Sequence, residues 1–160
     1  MGIDVTFKTG QIPLASAESI LATRARAGAR WFMWIAGLSL INSVASFAGA
    51  KFHFVLGLGI TQVFDGVAKR SAGAGNVAAL FLDVCVAGIF VFFGLLASKG
   101  RDWAFILGMI LYALDGFLFL LVKDMVGIVF HLLALFFIFK GLKANEALSK
   151  LRKPGYAPIK

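Results

Sequence analysis

With 60% of its 160 residues hydrophobic and a mean hydropathy of +0.89, the chain is far more apolar than a soluble domain, where roughly half the residues are apolar, and it reads as an integral membrane protein. Sixteen Lys and Arg against eight Asp and Glu give a net charge of +8, but the basic residues sit in loops and tails beside apolar runs, where they report topology and contact with anionic lipid headgroups. No arginine-rich strip interleaved with exposed aromatics points to nucleic acid, and at ~20 residues per span the length allows four or five spans in one compact bundle.

The polar N-terminal segment, residues 1–30, has no clear period up to Pro13. From Ser16, an N-cap type of residue, SAESILATRARAGAR is Ala-rich and favours a helix that lies on the membrane surface and runs into the first span, or a solvated lead-in to it. No cleavable signal is expected, since the first apolar run starts only at Trp31. Met1, Gly2 and Thr6 formally fit a myristoylation pattern, a short motif that a multi-span protein has no need of.

The bundle is expected over residues 31–141. Span one, Trp31–Gly49, opens with Trp31 and Trp34 at the place of an interfacial aromatic belt. Ser39 and Ser43, four residues apart, and Asn42 beside them give it a small, polar face that should pack against other helices; Asn42 reads as interhelical glue before it reads as a substrate contact. Span two, Phe54–Ala68, is the weakest: its length gives about 22 Å of helix against a ~30 Å hydrocarbon core, and Thr61, Gln62 and Asp65 are polar. It crosses, or it enters and returns as a re-entrant element, which lipid tolerates only under cover of protein or around a water-filled cavity.

Glycines, serine and charges make KRSAGAGN, residues 69–76, a loop. Span three, Val77–Ser98, carries Asp83 and the single cysteine, Cys85, so no intramolecular disulfide is possible. Lys99 to Asp102 turn the chain into span four, Trp103–Val122; Lys123 and Asp124 turn it again into span five, Val126 to about Phe139. The basic tail, residues 142–160, favours helix at first, until Pro154 and Pro158. Phe54-Val-Leu-Gly leading to Asp65-Gly66 is like Phe105-Ile-Leu-Gly leading to Asp115-Gly116, the kind of likeness that a duplicated two-helix unit or plain apolar drift produces.

Five spans divide the basic residues seven to nine between the two sides; four spans with a re-entrant second segment divide them twelve to four, with both termini on the richer side. The positive-inside rule therefore favours four spans with both termini inside. The apolar start of span two and the internal likeness favour five, which is the preferred count.

Asp115 lies eight residues before Lys123, and His131 seven after Asp124. At ~1.5 Å per residue both sit roughly 10 Å below one membrane surface and can face each other. Asp83, seven residues after Asn76, falls in the same leaflet, and Asp65 joins them if span two crosses. Ionisable groups within a membrane normally face the bundle interior and mark ion pathways, proton relays or ligand sites. Asp65, Asp83, Asp115 and His131 thus suit a proton- or ion-linked carrier or channel component. Asp83, Asp115 and His131 alternatively offer oxygen and nitrogen ligands to a divalent metal, Mn²⁺, Fe²⁺ or Zn²⁺ before Ca²⁺. In the plainest reading Asp115 and His131 only pair with each other while Asp83 pairs with Asn42, Tyr112 or a backbone group, as in an accessory or scaffold subunit of a membrane complex. A haem with two protein ligands has no evident second partner to His131, and the sequence names no particular cofactor.

Enzyme motifs are absent: no phosphate loop, no GxSxG, no HExxH. Ser39, Ser43 and Cys85 have no paired base at a readable spacing, which points away from catalysis.

The stretches WIAGLSLINS (Trp34–Ser43), LGITQVFDG (Leu58–Gly66) and LYALDGFLFLLVKD through FHLLALFFIFKGLKA resemble a group of small, uncharacterised bacterial multi-span membrane proteins. The resemblance runs from about Arg30 to Ala144 and implies a multi-pass protein of the bacterial inner membrane, with no function to carry over. The lipid bilayer, a membrane protein partner or a second copy of the chain are the partners expected.

Overall fold

The computed structural model describes residues 14–48, 58–68 and 74–153, apart from the side chains of 64, 65, 67, 68 and 74–76. Within them the chain is helical and contains no strand: α1 is Leu14–Phe47, α2 Gly59–Ala68, α3 Ala74–Ser98, α4 Asp102–Leu121 and α5 Met125–Leu151. Three helical stretches are long and apolar enough to cross a membrane, Val77–Ser98, Asp102–Leu121 and Met125–Leu151. The expected boundaries of spans three and four agree closely with α3 and α4.

Two boundaries move. The N-terminal segment from Leu14 runs into the expected first span without interruption, as one helix of 34 residues. Ala25, Gly28 and Ala29 are buried, and Gly28 meets Gly141 on α5. A Cβ on Gly28 would come within 2.4 Å of the Gly141 Cα, so the two backbones touch where the helices cross, the close approach that small residues allow in a membrane. Likewise α5 does not stop near Phe139 but continues to Leu151, where Arg152 caps it just before Pro154.

Two tight turns join the hairpins. Gly100, at φ 81°, takes the left-handed conformation that costs glycine little, and Asn145 on α5 donates to the Gly100 carbonyl (2.9 Å) and to Asp102 Oδ1 (2.6 Å), fastening the α3–α4 turn to the third helix. At the α4–α5 turn Lys123 adopts φ 58°, unusual for a residue with a side chain. Asp124 then caps α5, accepting from the amides of Val126 and Gly127 at 3.1 Å each.

α1 packs along α3 and α5, and α4 along α5 and α3. Arg152 Nε meets Glu18 Oε1 at 2.6 Å, so the start of α1 lies beside the end of α5 and the two run antiparallel. At the centre Phe32 is surrounded by Phe90, Phe93 and Phe105, with ring centroids 6.3–6.5 Å away. The polar face expected on span one is turned inward: Ser39, Asn42, Ser43 and Ser46 are all buried. The outer faces of α3, α4 and α5 expose large apolar side chains such as Phe81, Leu114, Leu121, Val129 and Leu132, a surface that lipid suits and water does not.

α2 is the exception to these long helices. Its ten residues rise only ~15 Å, half of the ~30 Å hydrocarbon core; Phe54–Gly57, the remainder of the expected second span, lie outside the described residues. Leu58 sits against Ser39, two turns before the end of α1. From there α2 proceeds past Phe119 at Gly59, and Gln62 and Val63 share a groove with Leu121 and Val122 at the end of α4. It therefore begins within the bundle and runs out to the end where α1 stops and α3 starts. The likeness between the Asp65 and Asp115 stretches has no counterpart in helix length, since one lies in a ten-residue helix and the other in one of twenty.

Candidate functional site

A helix that starts inside a bundle exposes amides with no intrahelical partner. Leu58 precedes α2 and has no side-chain acceptor to offer, so other helices supply the caps. Ser39 Oγ on α1 accepts from the Leu58 N–H at 2.7 Å. Asp115 on α4 accepts from two successive amides, Gly59 N–H to Oδ2 at 2.8 Å and Ile60 N–H to Oδ1 at 2.9 Å. A carboxylate placed there also meets the positive end of the α2 dipole. Thr61 Oγ1 donates back to the Leu58 carbonyl at 2.8 Å and closes the first turn.

The expected pairing across the α4–α5 hairpin is present. His131 Nε2 lies 2.9 Å from Asp115 Oδ2, and both residues are buried, at 2% and 7% exposure. His131 Nδ1 lies 2.8 Å from the Gly127 carbonyl one turn earlier on α5. A carbonyl oxygen only accepts, so Nδ1 carries hydrogen; Nε2 and Oδ2 must then hold a proton between them, as an imidazolium–carboxylate pair or as neutral imidazole and carboxylic acid. In either form the pair is neutral overall, which suits its burial.

Residues 112, 115, 116 and 119 fall on one stripe of α4, and that stripe meets His131. Tyr112 stacks on the imidazole at 4.2 Å between centroids and 15° between planes, and Phe119 packs against it at 4.7 Å. Glycines make the approach possible: a Cβ at Gly127 would fall 2.2 Å from Phe119 Cδ1, and one at Gly59 2.7 Å from Phe119 Cε2. The Tyr112 hydroxyl is buried with no hydrogen-bond partner among the described residues.

The other residues expected at the site are placed as follows. Asp83 is fully buried on α3 and Asn42 buried on α1; Asp65 lies on α2, with its side chain outside the described residues. Asp83, Asp115 and His131 were candidates for a divalent metal, but among the described residues no three His, Cys, Asp or Glu side chains group closely enough to hold one. The oxygens of Asp115 are directed at two amides and the His131 ring.

Ser39 and the amides of Leu58, Gly59 and Ile60 were not expected at the site. The amides carry no residue-type signal; the only sequence hint was a glycine, Gly59, at the point of close approach. No protein-family model, curated protein or solved structure matches this chain.

Proposed function

We propose that the chain is a multi-pass membrane protein in which α1, α3, α4 and α5 cross the bilayer, α2 is a re-entrant half-helix, and the whole serves as a non-catalytic accessory or scaffold subunit of a membrane complex. The carrying observation is that both oxygens of Asp115 are engaged by the chain's own groups, the amides of Gly59 and Ile60 and the ring of His131. An acid used in this way locks three helices together and has little capacity left for a passing ion. Four crossings divide the basic residues twelve to four, with both termini on the richer side, which supports a bacterial inner-membrane protein with cytoplasmic termini. The test is Asp115→Asn: this reading expects a lower melting temperature in detergent, and a partner retained on purification of the wild type from its own membrane. A wild-type protein that purifies alone, with Asp115→Asn as stable as the parent, would overturn it.

One observation favours a second reading, a proton-linked carrier or channel component. The carboxylate oxygen that shares a proton with His131 is the same one that caps Gly59, so a change in that proton reaches α2 directly. Reconstitution in liposomes separates the two readings: a pH-dependent flux lost in Asp115→Asn supports the carrier, and no flux in the wild type removes it.

A further inference from the structure

Away from the Asp–His pair, α1 and α5 meet at Gly28 and Gly141, and the helices flare apart beside this contact into a groove of about 540 Å³. Trp31 and Phe137 form its apolar floor, stacked at 4.9 Å and 5°, and Leu21 and Phe139 extend it. Its rim carries three cations, Arg24 from α1 with Lys140 and Lys143 from α5. Glu146 holds Lys143 at 2.9 Å; Arg24 and Lys140 have no carboxylate partner among the described residues. The apolar run of α5 gives way to charge at Lys140, and that of α1 begins at Trp31 after Arg30. The groove therefore straddles the level where hydrocarbon meets headgroups, with Trp31 and Phe137 on the hydrocarbon side, and Arg24, Lys143 and, beyond Arg24, Leu21 on the polar side.

We infer that this groove binds one anionic phospholipid, its phosphodiester among Arg24, Lys140 and Lys143 and its chains along Trp31 and Phe137. Charge complementarity selects a lipid of this class over a zwitterionic one, and the continuous aromatic floor selects a lipid over a soluble phosphate, which would leave that floor uncovered. The inference rests on α1 and α5 crossing the membrane; it does not depend on whether the protein is an accessory subunit or a carrier.

The experiment is native mass spectrometry of the full chain in a non-ionic detergent, titrated with phosphatidylglycerol or with phosphatidylcholine of identical chains. One phosphatidylglycerol should be retained per chain, at least about tenfold more tightly than phosphatidylcholine, and Arg24→Gln with Lys140→Gln should abolish that preference. Lys99→Gln with Lys123→Gln, outside the groove, should retain it. Equal retention of the two lipids, an unchanged preference in the groove variant, or glycerol phosphate competing as well as the whole lipid would each overturn the site. Should the groove variant not fold, the wild type decides alone: phosphatidylglycerol brominated in its chains should quench fluorescence that Trp31→Phe removes, at a lower mole fraction than brominated phosphatidylcholine, and equal quenching overturns the inference. Cysteine labelling from opposite membrane faces, at Ser19 and Ala48 for α1 and at Lys123 and Lys153 for α5, shows independently that both helices cross, so a failure of the lipid site is distinguishable from a failure of the membrane reading.

Discussion

The Gly59 amide donates to Asp115 Oδ2 at 2.8 Å across 56 residues of sequence, and through that contact the α4–α5 hairpin holds the start of α2. An asparagine at position 115 keeps the size but replaces one acceptor oxygen with a donor, which must then confront an amide or the His131 ring. Asp115→Asn should lose about 1–3 kcal/mol of stability, the usual cost of leaving a buried donor unmet. Thermal unfolding in detergent measures it. Ser39→Ala removes only the acceptor for the Leu58 amide and should cost about 1 kcal/mol.

His131 contributes a ring and two hydrogen bonds, to Asp115 and to the Gly127 carbonyl, and two substitutions separate ring from bonds. His131→Phe keeps the contact with Tyr112 and Phe119 while removing the bonds to Asp115 and to the Gly127 carbonyl; Asp115 retains both amides, so a loss of about 1–3 kcal/mol is expected. His131→Ala removes the ring as well and leaves a cavity, raising the loss to about 3–4 kcal/mol. The order of the two melting temperatures is the check: equal losses would mean that stacking contributes nothing.

Gly28 and Gly37 both lie within α1 and should respond in opposite ways to alanine. At Gly28 the new Cβ meets the Gly141 backbone, which can yield only if α1 and α5 separate, so Gly28→Ala should cost about 1–3 kcal/mol. At Gly37 a Cβ meets nothing within 4 Å, and the gain in helix propensity should leave Gly37→Ala neutral or more stable by up to ~1 kcal/mol. Unfolding of the two variants side by side tests the crossing.

The part of the site legible in the sequence was the part that side chains announce. Asp115 and His131 sit at matching depths about a two-residue turn, and intramembrane charges seek each other; Ser39, Asn42 and Ser43 marked the inward face of α1 by their spacing alone. What side chains do not announce was hidden. Backbone amides cap nothing in a residue code, so the ties from Leu58, Gly59 and Ile60 could not be read, and Asp115 was open to being counted as a metal ligand or pathway acid. Continuity was partly legible, in the helix-favouring lead-in to span one and the helix-favouring start of the tail; what composition hid, by changing at Arg30 and Lys140, is that the backbone of α1 and of α5 passes through both points without a break.

α2 as a half-helix that enters and leaves by one face is the claim on which the site depends. With Cys85→Ser as background, single cysteines at Ala48, after the end of α1, and at Ala68, the end of α2, can be labelled with a membrane-impermeant maleimide in right-side-out and inverted vesicles. Both should react from the same face, the one that exposes a cysteine at Lys123, and opposite to a cysteine at Lys153. Labelling of Ala48 and Ala68 from opposite faces would mean that the segment between them crosses the membrane, and would contradict the account.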